Sequence, residues 1–382
     1  MLERNPPGRI PELDGLRGTA IFFVLMYHYT LRQPTHDPHM FRFYLENLFL
    51  IGWSGVDLFF VLSGFLIGGI LLDARDSASY FKTFYMRRFF RIIPIYYAWI
   101  LTYILIVSVA GAALGARYGS EAITKPGFAI YGHFLFLQNL AVIPFVGLAK
   151  PWFISLWSLA VEEQFYLVSP LVVRLFSRRN LGVFLVTVIV GAPLLRVALL
   201  RGTHIHGQLV YVLMPCRADS LAVGMLAALL WREPHFRKWL SSNTRILYGM
   251  LAVLFAGVAA LWKWSPLNAS WAMESVGFTC LAFFYVLTLL LALTTPGGPI
   301  ARLARVRWLR ELGRVSYCMY IIHSVVDAVC HALLRRAPPA ISDWRSMGVT
   351  VLAGFVTYAV AWLSWKFFEG PMLRLGHGFK YF

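Results

Sequence analysis

The chain of 382 residues is 59% hydrophobic, 16% aromatic and only 14% charged, whereas a soluble domain is roughly 45–50% apolar and about 25% charged. This composition excludes disordered, fibrous and ordinary soluble globular proteins. Apolar stretches recur from Gly18 to Phe368 with no long polar block between them. The sequence therefore predicts one polytopic membrane domain that contacts the lipid bilayer.

The chain carries 35 Lys and Arg against 18 Asp and Glu, a formal charge of +17. The basic residues form short clusters between apolar segments, as they do in the cytoplasmic loops of membrane proteins, so no nucleic-acid partner is expected. All four cysteines lie in or beside apolar segments and form no CxxC pair. We therefore expect neither a disulfide framework nor a metal site.

Ten apolar segments approach the roughly 20 residues that a bilayer crossing requires. They lie near 14–31, 46–72, 92–115, 152–173, 181–200, 210–231, 246–264, 271–294, 314–334 and 347–367. An eleventh stretch, 128–148, is short and interrupted by glycine and proline, and we predict that it is re-entrant. The basic loops 73–91 and 174–180 then face the cytoplasm together with both termini.

The predicted fold is thus all-α, a polytopic membrane protein of about ten transmembrane helices with one re-entrant or short segment. We expect a single domain over 1–375, a short cytoplasmic tail over 376–382 and no appended soluble domain.

Arg17 and His28 of the first span are eleven residues apart, which places them on one helix face with roughly 16 Å between them. Arg17 suits an anionic group at the membrane edge, while the imidazole of His28 can accept a proton inside the membrane. The alternative interpretation is that the Arg17 side chain extends to the membrane surface as an anchor and that His28 is a hydrogen-bonded structural residue. We favour function, because an ionisable residue within a span is a functional candidate by default.

Arg88 and Arg91 lie at i and i+3 in a basic loop, on one helical face at the cytoplasmic surface. Paired guanidinium groups suit phosphate. A topology signal or a contact with anionic lipid is an equally good interpretation of the loop alone.

Glu162 and Glu163 interrupt an apolar segment, where ionised carboxylates are unfavourable unless they are paired or face a polar cavity. Adjacent residues point about 100° apart, so we expect at most one to face a reaction. The other is a candidate for a structural ion pair with Arg217 or Arg196. Arg217 and Asp219 interrupt a further span in the same way.

Asp57 is a lone acid in a glycine-rich segment that also contains Ser63. Asp57, His28 and Ser63 are the residue types of a nucleophile triad, but the chain has no G-x-S-x-G elbow, so we do not favour that interpretation.

His323 and Asp327 are four residues apart on one helical face, where Asp327 could orient His323. Packing support is the favoured role for this pair. No P-loop or dinucleotide fingerprint is present.

Taken in order, these motifs resemble the acyltransferase 3 family, polytopic membrane acyltransferases that modify surface carbohydrates and some small molecules. The resemblance covers nearly the whole chain. It rests on Glu12-Leu13-Asp14-Gly15-Leu16-Arg17-Gly18 with His28, Gly55-Val56-Asp57-Leu58-Phe59-Phe60 with Ser63-Gly64-Phe65, Arg88-x-x-Arg91 with Pro94, Trp157-Ser158-Leu159 with Glu162-Glu163-Gln164-Phe165, Arg217-Ala218-Asp219 and Ser316-Tyr317.

The resemblance implies transfer of an acyl group, commonly acetyl, from cytoplasmic acyl-CoA to a hydroxyl of a carbohydrate or glycosylated acceptor. In the family the arginine and histidine of the first helix are regarded as essential, which corresponds to Arg17 and His28. The paired arginines of the first cytoplasmic loop are associated with the acyl donor, which corresponds to Arg88 and Arg91. The family also favours a bacterial inner membrane.

The residues and the resemblance combine in one mechanistic hypothesis. Arg88, Arg91 and Arg17 hold the CoA phosphates, the pantetheine arm extends along the first helix, and His28 acts as general base on the acceptor hydroxyl. Direct transfer and an acyl-enzyme through His28 or Ser63 both stay open. The groups that could orient the reaction are Asp14, Asp57 and Glu163, and those assigned to the acceptor site are Glu162, Arg217, Asp219 and Ser63.

The main alternative is a transporter or flippase for a glycan or a small anionic substrate, because such proteins also carry polar residues in their spans. No internal repeat supports it. Acyl transfer from a lipid donor would need less basic surface, and a purely structural subunit would leave the buried charges unexplained. The acyl group, the acceptor and the oligomeric state stay open.

Overall fold

The computed structural model describes residues 10–30, 41–118, 128–140, 149–202, 207–264 and 270–382. The described residues are 87% helical and contain no strand. This confirms the predicted all-α class.

Within the described ranges the chain forms seventeen α-helices. They are α1 (Pro11–Thr30), α2 (Phe41–Phe49), α3 (Gly55–Asp73), α4 (Tyr80–Tyr118), α5 (Phe128–Phe134), α6 (Ala149–Phe153), α7 (Trp157–Leu175), α8 (Arg178–Gly202), α9 (Gly207–Val212), α10 (Met214–Trp231), α11 (Pro234–Ser242), α12 (Thr244–Trp264), α13 (Phe278–Thr294), α14 (Pro299–Ala304), α15 (Arg307–Arg335), α16 (Trp344–Ser364) and α17 (Gly370–His377). A 3-10 segment, Leu50–Ser54, precedes α3, and π-helical segments, Met273–Gly277 and Trp365–Glu369, precede α13 and α17.

Eight helical stretches in the described part of the chain are long and apolar enough to cross a membrane. They are Phe43–Asp73, Tyr80–Gly111, Arg178–Gly202, Leu209–Trp231, Thr244–Lys263, Met273–Thr294, Arg307–Arg335 and Trp344–His377. The two other predicted spans correspond to α1 and α7, which are helical over 20 and 19 residues but carry several charged side chains. The chain is therefore a multi-pass membrane protein.

The stretch predicted to be re-entrant, 128–148, begins with α5, a helix of seven residues. At 1.5 Å per residue α5 is about 10 Å long, far less than the hydrocarbon thickness of roughly 30 Å. Turns follow it to residue 140. The remaining residues, 141–148, lie outside the described ranges.

Helices α1 and α15 pack side by side at very short distance. A Cβ atom built on Gly18 would collide with the carbonyl oxygen of Leu309, and one built on Gly313 would collide with the carbonyl oxygen of Asp14. Small residues at such a contact allow two membrane helices to approach closely. This packing sets the side chains of α1 directly against α15.

Candidate active site

A cavity of about 290 Å³ lies between α1, α3, α4, α7 and α15. Seven of the eleven predicted site residues line it, namely Asp14, Arg17, Ser63, Arg88, Arg91, Glu162 and Glu163. The other four, His28, Asp57, Arg217 and Asp219, are not among its lining residues. The structure thus collects in one place charged residues that are up to 149 positions apart in the chain, from Asp14 to Glu163.

Three arginines from two helices converge on the cavity. Arg17 comes from α1, and the i,i+3 spacing of Arg88 and Arg91 on α4 brings both side chains to the same side of that helix. Arg91 interacts electrostatically with both Arg17 and Arg88. Three like charges in a partly enclosed cavity repel one another, so the arrangement favours an anionic ligand or nearby carboxylates.

Glu162 supplies one of these carboxylates and is fixed by a short relay of hydrogen bonds. The hydroxyl of Tyr166 donates to Ser63 Oγ over 3.0 Å, and Ser63 Oγ donates to Glu162 Oε1 over 2.6 Å. Glu162 also interacts electrostatically with all three arginines. The relay crosses from α7 to α3 and back, so it holds the two walls of the cavity together.

Glu163 lines the same cavity as its neighbour Glu162. The two side chains leave α7 about 100° apart, but the cavity extends around this side of the helix and both long side chains reach it. Glu163 interacts electrostatically with Arg88. Both glutamates therefore share one cavity with the three arginines.

Three tyrosines that line the cavity were not predicted as site residues, namely Tyr166, Tyr317 and Tyr320. The hydroxyl of Tyr320 lies 2.5 Å from Ser158 Oγ and 2.9 Å from the carbonyl oxygen of Ser155. Tyr317 donates to the carbonyl oxygen of Ile92 over 3.2 Å. Helical spacing could have found two of them, because Tyr166 follows Glu162 by four residues and Tyr320 follows Ser316 by four.

Asp57 and Arg217 form an ion pair away from the cavity lining, with 2.6 Å between Oδ1 and Nη2 and both side chains fully buried. The guanidinium carbon of Arg217 also lies 3.9 Å from the ring centre of Phe278. This pair connects α3 to α10. The structure therefore does not bring Asp57 or Arg217 to the cavity where they were expected.

Asp219 forms a second fully buried ion pair, with Arg196 of α8, at 3.0 Å. Thr279 donates to the same carboxylate over 2.6 Å. Arg196 and Arg217 thus bind aspartates, and the alternative in which a glutamate of α7 pairs with one of them is not observed. The two ion pairs together connect α3, α8 and α10.

His28 lies further along α1 than Arg17 and is partly buried. Its Nδ1 lies 2.9 Å from the carbonyl oxygen of Val24. Its ring centre is 4.9 Å from that of His323, whose ring is in turn 6.0 Å from that of Tyr320 on the cavity wall. The rings of His323 and Tyr320, both on α15, therefore connect His28 to the cavity wall.

Asp327 and His323 of α15 each have polar neighbours in the structure. Asp327 Oδ1 lies 3.6 Å from Nε2 of His331. Nδ1 of His323 lies 2.8 Å from the carbonyl oxygen of Tyr320 and 3.2 Å from that of Met319. The carboxylate thus faces the C-terminal end of α15, while His323 faces α1.

The residue types of the cavity suit a phosphorylated ligand. Guanidinium groups bind phosphate through paired, charge-assisted hydrogen bonds. Within the described ranges, no group of three or more His, Cys, Asp or Glu side chains is arranged to hold a metal ion.

Several curated O-acetyltransferases are similar to the chain over most of its length. The peptidoglycan O-acetyltransferase OatA of Listeria monocytogenes is 26% identical over 96% of the chain, and the putative peptidoglycan O-acetyltransferase YrhL of Bacillus subtilis is 28% identical over 96%. The O-acetyltransferase OatA of Staphylococcus aureus is 25% identical over 98%. The matched region spans 55–59% of these relatives' own length. No solved structure matches the chain.

A match to a family profile assigns the chain to a protein family. The profile of acyltransferase family 3, described as an acyltransferase domain, matches residues 10–366. These residues include all the helices that line the cavity and both ion pairs. The chain therefore belongs to the acyltransferase 3 family, as its motifs indicated.

Proposed function

We propose that the protein is a membrane O-acetyltransferase that moves an acetyl group from cytoplasmic acyl-CoA to a hydroxyl of a cell-wall carbohydrate. The convergence of Arg17, Arg88 and Arg91 on one cavity is the observation that carries this proposal. The family supports acyl transfer, and the names of the relatives support an acetyl group and a peptidoglycan-like acceptor. The transporter alternative gains no support from either.

The three arginines are the proposed binding site for the phosphates of the donor. CoA carries a diphosphate and a further phosphate, and bidentate guanidinium groups match such anions better than ammonium groups do. The cavity of about 290 Å³ is at the lower end of the roughly 300–1,000 Å³ found for small-molecule sites. It can therefore enclose part of the donor, with the rest outside.

The same residues support a proposed orientation of the protein in the membrane. The basic segment 73–91 contains Arg88 and Arg91, and basic loops of membrane proteins accumulate on the cytoplasmic side. We place this end of the bundle and both termini in the cytoplasm of a bacterium, with the protein in its inner membrane. Acyl-CoA is then available directly to the cavity.

His28 is the proposed general base. Because a carbonyl oxygen can only accept, Nδ1 of His28 carries the hydrogen in its contact with Val24, and Nε2 is the basic nitrogen of the neutral ring. Nε2 takes the proton of the acceptor hydroxyl while the oxygen attacks the thioester carbonyl. The carbon–sulfur bond then breaks, and the CoA thiolate leaves with the proton that His28 received.

The carboxyl groups have separate proposed roles. Glu163 and Asp14 lie among the arginines and orient them for the donor. Ser63 holds Glu162, and these two side chains form the inner part of the site and contact the substrate. Asp57, Arg217 and Asp219 act through the framework that joins α3, α8 and α10, because their side chains are fully buried in ion pairs.

Transfer of radiolabel tests the proposal. Membranes that contain the wild-type protein are incubated with labelled acetyl-CoA and peptidoglycan fragments, beside His28→Gln and the control His235→Gln, which changes an exposed histidine of α11. We expect His28→Gln to lower transfer at least 100-fold, as loss of a general base does, and His235→Gln to retain it. Equal transfer by all three proteins would remove His28 from the chemistry, and no transfer to any hydroxyl acceptor would contradict the proposed function.

A further inference from the structure

An open groove of about 800 Å³ lies between α8 and α10, on the outside of the bundle. It shares no lining residue with the candidate active site. Most of its wall is apolar. The large apolar side chains that form the wall are Val183, Val186, Val190 and Leu194 of α8 and Leu226 and Leu230 of α10.

The groove lies within the membrane-spanning part of the chain. Both of its walls belong to stretches that are long and apolar enough to cross a membrane. Val183, Val190 and Leu194 are 62%, 54% and 63% exposed, so the groove opens toward the lipid. The eleven residues from Val183 to Leu194 extend over roughly 16 Å of helix, about half of the roughly 30 Å hydrocarbon core. The groove therefore has the length of an acyl chain in one leaflet.

Positive charge is concentrated at the end of the groove where α8 begins. Arg178, Arg179 and Glu233 are the charged residues of the lining. Arg178 Nη1 lies 3.5 Å from Glu233 Oε1, and both side chains are more than half exposed, so this pair is weak. Arg179 is also exposed and has no carboxylate partner in the part of the chain that the structure describes. Two arginines against one glutamate leave this end positive.

The two helices are connected on both sides of the groove. The buried ion pair of Arg196 with Asp219 joins them at the far end, and Arg178 contacts Glu233 at the near end. Between these contacts the groove floor is open, since a Cβ atom built on Gly191 would meet nothing within 4 Å. The space therefore belongs to the packed bundle and is accessible to a ligand from the bilayer.

We propose that this groove binds one anionic phospholipid, with the headgroup at Arg178 and Arg179 and an acyl chain along residues 183–194. Guanidinium groups form charge-assisted hydrogen bonds with phosphate, and basic pockets between transmembrane helices bind anionic headgroups. The inference uses no residue of the proposed active site and is independent of the proposed function. In the orientation proposed above, the lipid belongs to the cytoplasmic leaflet.

The headgroup charge provides the selectivity. Lipid tails are as apolar as leucine, so contact of a chain with the groove wall does not by itself favour one phospholipid over another. A zwitterionic headgroup brings its own cation close to Arg179, whereas an anionic headgroup leaves a net attraction. The groove thus fixes the position of the lipid, and the arginines select its charge.

The first test is native mass spectrometry of the full-length protein in detergent with equal amounts of phosphatidylglycerol and phosphatidylcholine that carry the same chains. We expect the wild-type protein to retain phosphatidylglycerol at least about fivefold better, and Arg179→Gln to lower this ratio about fivefold, the effect of one arginine near an anionic surface. Arg245→Gln is the matched control, because Arg245 is exposed in the first turn of α12 and lies outside the groove lining. Equal retention of both lipids by the wild type, or equal losses in the two variants, would overturn the proposal.

The second test fills the groove with a side chain. Gly191→Leu projects into open space, as does the control Gly249→Leu on α12, which is outside the groove lining. A lipid that binds the folded state raises the unfolding temperature. We expect phosphatidylglycerol to raise it in the wild type and in Gly249→Leu, and to raise it much less in Gly191→Leu and in Arg179→Gln.

An unchanged effect of phosphatidylglycerol on Gly191→Leu would show that no chain occupies the groove and would overturn the proposal. Loss of the effect in Gly249→Leu as well would assign it to the general lipid-facing surface and would also overturn it. Arg179 is exposed, so Arg179→Gln should fold as the wild type does, and its unfolding temperature without added lipid provides the check.

Discussion

Ser63 on α3 donates a 2.6 Å hydrogen bond to Glu162 on α7, and Tyr166 donates to the same serine over 3.0 Å. The serine hydroxyl therefore has both a donor and an acceptor partner within the cavity wall. This arrangement contains no histidine, so it differs from a Ser–His–Asp triad, in which the base that activates the serine is an imidazole. The geometry favours a role for Ser63 in holding Glu162.

We expect Ser63→Ala to lower kcat/KM about tenfold. Loss of one partner of a buried hydrogen bond costs about 1–3 kcal/mol, which corresponds to roughly 5- to 150-fold in an equilibrium. Ser63→Thr should retain most activity, because it keeps the hydroxyl. The measurement is the rate of acetyl transfer by purified protein in nanodiscs.

The control is Ser54→Ala, which removes another buried hydroxyl near the start of α3, hydrogen-bonded to Tyr285 at 2.6 Å. It should leave transfer close to wild type. Complete loss of transfer in Ser63→Ala, together with acid-stable label on wild-type Ser63, would show instead an acyl-serine intermediate.

Replacement of Arg88 or Arg91 by lysine tests the donor site. Lysine keeps the positive charge but cannot form the bidentate bonds of a guanidinium group. We expect the KM for acetyl-CoA to rise about tenfold for each substitution, or 1.4 kcal/mol, with kcat nearly unchanged. Initial-rate kinetics at varied acetyl-CoA give both constants.

Lys82→Gln is the matched control for these two variants, because Lys82 lies on α4 and is exposed. It should not change the KM for the donor. If Lys82→Gln raised the KM as much as Arg88→Lys does, the effect would come from the general surface charge and not from the cavity.

Helical periodicity predicted the relation between Arg88 and Arg91, since both residues belong to one helix and their spacing fixes their direction. It also placed Arg17 and His28 along α1. It could not predict that Asp57 meets Arg217, because these residues are 160 positions apart and only the packing of α3 on α10 brings them together. The contact of His28 with His323 was missed for the same reason.

Local spacing also leaves the choice between two partners open. Asp327 is four residues from both His323 and His331, and spacing alone gives them equal weight. The structure shows the carboxylate near His331, since His323 is turned toward α1. The tertiary packing around each side chain therefore decides between contacts that periodicity treats as equivalent.

The ion pair between Asp57 and Arg217 predicts a specific pattern of stability. Asp57→Asn or Arg217→Met alone leaves an uncompensated buried charge, which costs about 3–5 kcal/mol. The double variant Asp57→Asn/Arg217→Met removes both charges and should recover most of that loss. Thermal unfolding in detergent, followed by fluorescence, gives the unfolding temperatures of the two single variants and the double variant.

The transferase activity of the folded fraction is the second measurement on these variants. Because the pair lies away from the cavity lining, kcat per folded molecule should stay within about threefold of wild type in the double variant, an energy difference of less than 1 kcal/mol. A double variant that is stable but inactive would place Asp57 or Arg217 in the chemistry after all.

Gly18→Ala should separate α1 from α15. The added Cβ collides with the carbonyl oxygen of Leu309, and the backbone cannot avoid it without moving one helix. We expect a lower unfolding temperature and a loss of transfer larger than that of any single cavity substitution, because Arg17 and His28 both move with α1. Gly249→Ala on α12, where a Cβ meets open space, is the control and should behave as wild type.

Residues 379–382 pack on the first turns of α4, close to the donor arginines, and this contact leads to the last prediction. The carbonyl oxygen of Phe379 accepts from Arg87 Nε over 2.9 Å, and that of Lys380 accepts from Ser79 and Thr83, each over 2.9 Å. The Phe379 ring also stacks on Phe90, with 6.1 Å between ring centres.

Phe379→Ala should therefore loosen this end of α4 and raise the KM for acetyl-CoA severalfold while kcat stays the same. Lys380→Ala is the matched control, since Lys380 binds α4 through its backbone carbonyl and not through its side chain. Because Arg88 and Arg91 follow Arg87 within about one helical turn, a change in their direction affects donor binding before it affects the chemical step. An unchanged KM in Phe379→Ala would show that α4 is rigid enough to present its arginines without the tail.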